Sequence, residues 1–167
     1  TKTQNPESGD SEYTWYIDPI DGTANYVHGD PNFCISIALV KQGEVVNACV
    51  HIPMLSETYY AEKDCGTELN SKKISVSKIA ELKDSMIQLG ISPLKDTIDH
   101  SLSLMKHFML NADRARDHGA CALQLAFVSA GRADAFVKYS QHSWDIAAGL
   151  LLVEEAGGKA TDMLGNK

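Results

Sequence analysis

From Asn32 to Lys41 the chain reads NFCISIALVK, with apolar residues returning at a period near two, as in a strand that buries one face. Gln42-Gly43 follows as a turn signal, and Glu44 to His51 (EVVNACVH) is again β-like, so the two runs predict a hairpin. Upstream, Thr1 to Glu12 is polar and rich in turn-forming residues and reads as a loop. Tyr13 to Ile17 is a short β-prone run that stops at Asp18-Pro19. Downstream, Pro53 breaks the pattern and Glu57 to Glu62 (ETYYAE) predicts a further strand. Cys65-Gly66 and Asn70-Ser71 mark turns, and short β segments are predicted near Ile74 and from Met86 to Leu89.

The period changes in the second half. Ile98 to Leu110 carries Leu102, Met105, Phe108 and Met109 at helical spacing. Ala120 to Ala130 is a more apolar helix, stopped by Gly131. Ala133 to Tyr139 predicts a strand, Trp144 to Ala156 a helix ended by Gly157-Gly158, and Lys159 to Met163 the start of another strand. Strands first, then strands alternating with helices, give an α+β or layered α/β architecture. There is no internal repeat, low-complexity tract or Pro/Gly/Ser-rich linker, so residues 1–167 read as a single domain.

Charge narrows the choice of partner. The net charge is -7, which repels a nucleic-acid backbone, and no basic stripe offsets it, so no nucleic-acid partner is expected. A phosphorylated small molecule stays compatible, because a bound divalent cation inverts the local field. No apolar run is long enough for a membrane span, and Thr1 to Asp10 shows no secretory h-region. Of the four cysteines, Cys34, Cys49 and Cys121 sit in apolar stretches and read as core residues; none, Cys65 included, forms a C-x-x-C pair. A reduced, cytoplasmic setting is expected.

Two segments carry chemistry. The first is Asp18-Pro19-Ile20-Asp21-Gly22-Thr23. Pro19 holds Asp18 extended, and Gly22 permits a tight turn, so two carboxylates share one short segment. Like charges that close raise each other's pKa unless a cation neutralises them, and oxygen-only ligands favour magnesium over zinc. Gly22 and Thr23 add backbone N–H groups, and Thr23 a hydroxyl, suited to a phosphate at a helix start. The plain alternative is a turn at Asp18-Pro19 with Asp21 capping a helix. The second segment runs from Trp144-Asp145-Ile146-Ala147-Ala148-Gly149 to Glu154-Glu155-Ala156-Gly157-Gly158. Asp145 falls in the first turn of an apolar helix, where the dipole favours negative charge, and the small residues at 147 to 149 allow close approach. Alone, it reads as a helix-terminal carboxylate without a ligand.

The pair resembles the inositol-monophosphatase family, which has D-P-[IL]-D-G-[ST] and, later, W-D-x-[AG]-[AG] with E-A-G-G. The resemblance extends to Asn25-Tyr26-Val27-His28-Gly29, Ser36-Ile37-Ala38-Leu39-Val40, Tyr59-Tyr60-Ala61-Glu62-Lys63 and Gly131-Arg132-Ala133-Asp134-Ala135. It implies an αβαβα sandwich, incomplete here: the family's first helices precede this region, and its last strand and helix lie beyond it. Missing layers would leave apolar faces exposed. It also implies two or three magnesium ions, held by Asp18, the Ile20 carbonyl, Asp21 and Asp145, with Thr23 orienting the attacking water. Phosphate and substrate contacts fall at Gly22, Thr23, Gly119, Ala120, Lys138 and Asp145. Homodimers and lithium sensitivity follow from the same resemblance.

Three positions depart from the family. Its metal-binding glutamate upstream is matched only by Glu7, with Pro6 where the pair's first glutamate stands. Lys138 replaces a glutamate that binds sugar hydroxyls; a lysine there suits an extra anionic group, or is a solvated surface charge. Ala120 stands where a serine or threonine is common. His28 and His142 match no metal ligand, and Glu154 and Glu155 read as structural. The expected reaction is magnesium-dependent hydrolysis of a small phosphate monoester, an inositol phosphate first. Histidinol phosphate, fructose 1,6-bisphosphate and 3′-phosphoadenosine 5′-phosphate are alternatives, as is a non-catalytic remnant of the family.

Overall fold

The alternation in the first half builds one antiparallel sheet. In the computed structural model, which describes residues 11–91, 95–139 and 141–166, its strands are β1 (Tyr13–Asp21), β2 (Cys34–Lys41), β3 (Glu44–Ile52), β4 (Glu57–Glu62), β5 (Gly66–Leu69) and β6 (Lys72–Lys73), in sequence order. The β2–β3 hairpin turns on Gln42 and Gly43, with φ of 50° and 87°, as a two-residue primed turn requires. Along β2, Cys34, Ser36, Ala38 and Val40 are buried and the residues between them less so.

β1 does not stop at Asp18-Pro19 as expected but continues to Asp21. It is an edge strand, where the missing proline N–H breaks no ladder bond, and its register with β2 shifts between Asp18 and Asp21. That irregularity leads into Gly22 and the short helix α1 (Thr23–His28). The sixth strand is Lys72–Lys73; Ile74 lies just past it, its N–H donating to the Thr67 carbonyl.

A second sheet is parallel: β7 (Met86–Gly90) lies between β8 (Arg114–Arg116) and β9 (Ala135–Lys138). Between β7 and β8 runs α2 (Ile98–Asn111), which packs on both of them. Helix α3 (Cys121–Ser129) precedes β9, and α4 (Ser143–Glu155) follows it. Both α3 and α4 are apolar nearly all round, which suits helices covered on two sides. Leu123, Ala126, Ala148 and Leu152 pack on Ala38, Val50 and Tyr59 of the large sheet. Leu125, Val128 and Val153 pack with Met86 and Phe136 of the small one. The two helices touch closely because Gly149 has no side chain: a Cβ there would lie 2.5 Å from Leu125 Cβ.

The strand expected from Lys159 to Met163 does not form. Asp162 instead gathers the N–H groups of Leu164 and Asn166 into a turn, and no strand partner lies alongside among the described residues. Glu155 is structural, as read: its two carboxylate oxygens accept from the Asp64 and Gly66 N–H groups. Tyr13, Trp15, Ile17 and Tyr60 of the large sheet are exposed. No helix among the described residues is long and apolar enough to cross a membrane.

One ion pair makes stability depend on pH. Arg132, just after α3, grips Glu57 of β4 with both guanidinium nitrogens, at 2.8 and 2.6 Å, and the Tyr59 hydroxyl donates to the same carboxylate. Burial pushes the Glu57 carboxyl up, but these donors outweigh it and hold it below its ordinary value. The folded state therefore binds fewer protons there, and the contribution vanishes as pH falls through the folded pKa. In thermal melts taken down from about pH 5 to pH 3, the wild type should lose more stability than Glu57→Gln. Since Arg132 is well exposed, the difference should stay under about 1 kcal/mol. Parallel curves would show that the pair contributes nothing.

Candidate functional site

The bend at the end of β1 sets the first part of the site. An Asp18 carboxylate oxygen accepts the Ile20 N–H at 3.1 Å, and the Thr23 hydroxyl donates to the Ile20 carbonyl at 2.9 Å. Gly22 turns the chain at φ 85°, in space closed by the Asn32 carbonyl and the Ala120 methyl, 2.9 and 3.0 Å from where a Cβ would stand. The Asn25 amide donates to the Asn32 and His118 carbonyls at 2.6 and 2.7 Å. It thus ties this segment to the chain entering α3.

Asp21 is buried, and its Oδ2 accepts the Ala122 N–H at 2.7 Å and, more weakly, the Cys34 thiol at 3.5 Å. It does cap a helix, but α3 rather than the helix beside it. The N-cap of α3 is Ala120, which has no acceptor of its own, so a carboxylate 101 positions upstream takes that role. Ala120 is itself buried and fills the base of the Gly22 turn. Asp145 is the third residue of α4, where it accepts the His142 N–H at 3.2 Å. The His142 ring stacks on Trp144, and the His142–Asp145 pair forms a reciprocal capping box at the start of α4, while the His28 ring hydrogen-bonds to the Ala24 carbonyl.

The two segments meet electrostatically. Burial raises the Asp18 pKa, and repulsion from Asp145 adds to it against the Ile20 N–H. Burial pushes Asp21 up to about 6, with Asp18 repelling it and the Ala122 N–H opposing. Lys138, at the end of β9, lies in the field of both Asp145 and Asp21 and donates to Cys121 Sγ at 2.7 Å. It is half-buried, not a solvated surface charge.

Oxygen is the only ligand type in this donor set: three carboxylates and the Ile20 carbonyl, which keeps a second lone pair. Such a set fits a hard dication, and a dication relieves the repulsion that raises Asp18 and Asp21. Among the described residues, however, no three Asp, Glu, His or Cys side chains close into a ready metal cage. Each of the three aspartates spends an oxygen on a backbone N–H. Glu7 lies outside the described residues. An open cleft lined by Val45, Ile146, Leu150 and Leu151 lies elsewhere and includes none of the three aspartates.

The model of the inositol monophosphatase family matches residues 1–167. The chain belongs to that family. A Thermotoga maritima relative named fructose-1,6-bisphosphatase/inositol-1-monophosphatase is 44% identical over 161 residues, 96% of this chain and 60% of the relative. Nus factor SuhB of Xylella fastidiosa is 40% identical over 158 residues, 94% of this chain and 58% of its own. The crystal structure of the extragenic suppressor protein suhB from Bartonella henselae matches with a TM-score of 0.91 at 38% identity, covering 94% of this chain and 60% of that one. The layered α/β arrangement is thus that of the inositol monophosphatase family. The chain spans about three fifths of the length of the curated relatives it matches.

The structure brings the expected Asp18, Asp21 and Asp145 into one field, and four residues that the sequence did not assign to the site pack around this region and Lys138. Asn25 was visible only as part of a family-like stretch. Cys34 and Cys121 read as core and are buried, yet one touches Asp21 and the other Lys138. Gly90 carried no signal at all; a Cβ there would lie 2.5 Å from Lys138 Cδ.

Proposed function

We propose that this chain carries most of the active site of a magnesium-dependent phosphatase that hydrolyses a small phosphate monoester, with an inositol phosphate as the first candidate. The observation that carries this reading is the mutual repulsion of Asp18 with both Asp145 and Asp21, groups from the two ends of the chain brought into one field. Magnesium held by Asp18, the Ile20 carbonyl, Asp21 and Asp145 would neutralise phosphate charge and acidify water. The protein does the positioning. Donation to Ile20 fixes the Thr23 hydroxyl and leaves its lone pairs to accept a hydrogen bond from the attacking water. The water oxygen bonds to phosphorus as the P–O bond to the alcohol breaks, and one proton of that water ends on the departing alcohol, leaving hydrogen phosphate. Gly22 gives the turn its φ of 85° and its close seat against Asn32 and Ala120, which sets the backbone that phosphate would approach. Lys138 adds positive charge to the wall. The name of the Thermotoga relative supports fructose 1,6-bisphosphate as a second candidate.

The test is phosphate release by the full-length protein from inositol 1-phosphate, fructose 1,6-bisphosphate, histidinol phosphate and 3′-phosphoadenosine 5′-phosphate, with magnesium and with chelator. Release from at least one substrate, lost on chelation, is expected. Failure on all four would leave the second reading, a non-catalytic family member. That reading is favoured by Pro6, which stands where the family's first upstream glutamate is expected, and by the short stretch from Glu7 to Trp15. It predicts magnesium binding by calorimetry without turnover.

A further inference from the structure

We propose that Lys138 selects phosphate monoesters carrying a second anionic group, a phosphate or carboxylate near the ester that is cleaved. This rests on the phosphatase reading above. The lysine is built into the wall of the site. Its stem runs across β7 at Gly90, where a Cβ would stand 2.5 Å from Cδ and 2.8 Å from Cγ, so the bare backbone leaves the track it follows. Its Nζ reaches Cys121 Sγ, at the first residue of α3. A thiol is a weak acceptor without formal charge, so this contact is not an ion pair. Among the described residues Lys138 forms no contact ion pair with a carboxylate.

Burial disfavours the half-buried ammonium, and Cys121, Asp145 and Asp21 together outweigh that cost. Asp21 and Asp145 compensate for it only at a distance, and they are the same groups that would hold magnesium. With those carboxylates engaged by a dication, the ammonium is left for an anion on the substrate. A lone phosphate group is already served by the metal ligands and the Gly22 turn, so the lysine discriminates only where a second anion is present. The competing role is a built-in counter-charge that steadies Asp21 and Asp145, which would be blind to that second group.

The test measures binding of phosphonates, which do not hydrolyse, to the full-length protein with magnesium by calorimetry. Methylphosphonate carries one anionic group, phosphonoacetate adds a carboxylate, and ethylene-1,2-diphosphonate adds a second phosphonate. Chelation of free magnesium is common to all variants and cancels between them. Lys138→Met should weaken one or both of the two-anion probes by about tenfold more than methylphosphonate, and Lys138→Glu by more. Whichever two-anion probe responds identifies the second group. Gly90→Ala, which keeps the charge but pushes the stem aside, should shift the same ratio by less. Equal losses on all three probes would overturn the inference, make Lys138 a counter-charge and leave the phosphatase reading standing. No binding of any probe would overturn both.

Discussion

Asp18→Asn should lower kcat/KM at least about a thousandfold, roughly 4 kcal/mol of transition-state stabilisation, while the metal-free protein melts no lower than the wild type. Both halves come from one carboxylate. Its charge is disfavoured in the folded chain by burial and by Asp145, so a neutral amide of the same shape relieves the metal-free state. The sign follows from linkage: a carboxyl whose folded pKa is raised makes the fold less stable as it ionises. The same charge is what a dication needs, so added magnesium should raise the melting temperature of the wild type and raise that of the variant less. Calorimetric melts with and without magnesium, beside phosphate release, check it. A variant that keeps wild-type turnover would remove Asp18 from the catalytic centre.

Gly22→Ala should destabilise the fold by about 3 kcal/mol, a drop in melting temperature of roughly 6–12 °C. Two costs add. At φ 85° a side chain meets the left-handed penalty, about 1–2 kcal/mol. The new methyl also presses on the Asn32 carbonyl and Ala120 Cβ, at 2.9 and 3.0 Å, and neither is the free end of a flexible side chain, so overpacking adds about 1–3 kcal/mol. Gly43→Ala is the control. Its φ is 87° but nothing lies within 4 Å of a new Cβ, so only the first cost applies. Equal losses in the two variants would mean that the Gly22 turn is not packed against α3.

The sequence was most legible where structure is made locally. The β2–β3 hairpin shows in its alternation and in Gln42-Gly43, because both the strand faces and the turn are set by adjacent residues. The apolar helices α3 and α4 were placed to within a residue or two for the same reason. The errors fall where a distant partner decides. Pro19 argues against a strand unless that strand lies at an edge, which only the sheet order reveals. Arg114–Arg116 has charged ends and no β pattern, and becomes a strand only beside β7. Lys159 to Met163 has β-like residues but no neighbour among the described residues. In the site, Asp18 and Asp21 could be paired by spacing and Asp145 by resemblance. Asp21 as the cap of α3 could not be read, since its one local trace is an alanine where a capping side chain would stand.

The six-stranded meander joins each strand to the next in sequence, so it can zip up as the ribosome delivers it, with small loops to close. The Asp21–Ala122 bond obeys another clock. It closes a loop of 101 positions, and Asp145 emerges later still. On the proposed magnesium site, a growing chain therefore carries a finished sheet before it can grip a dication, and gains that capacity only when α4 docks. Magnesium affinity, followed on ribosome-stalled chains of increasing length, should then appear in one step once α4 has emerged, as a readout of its docking.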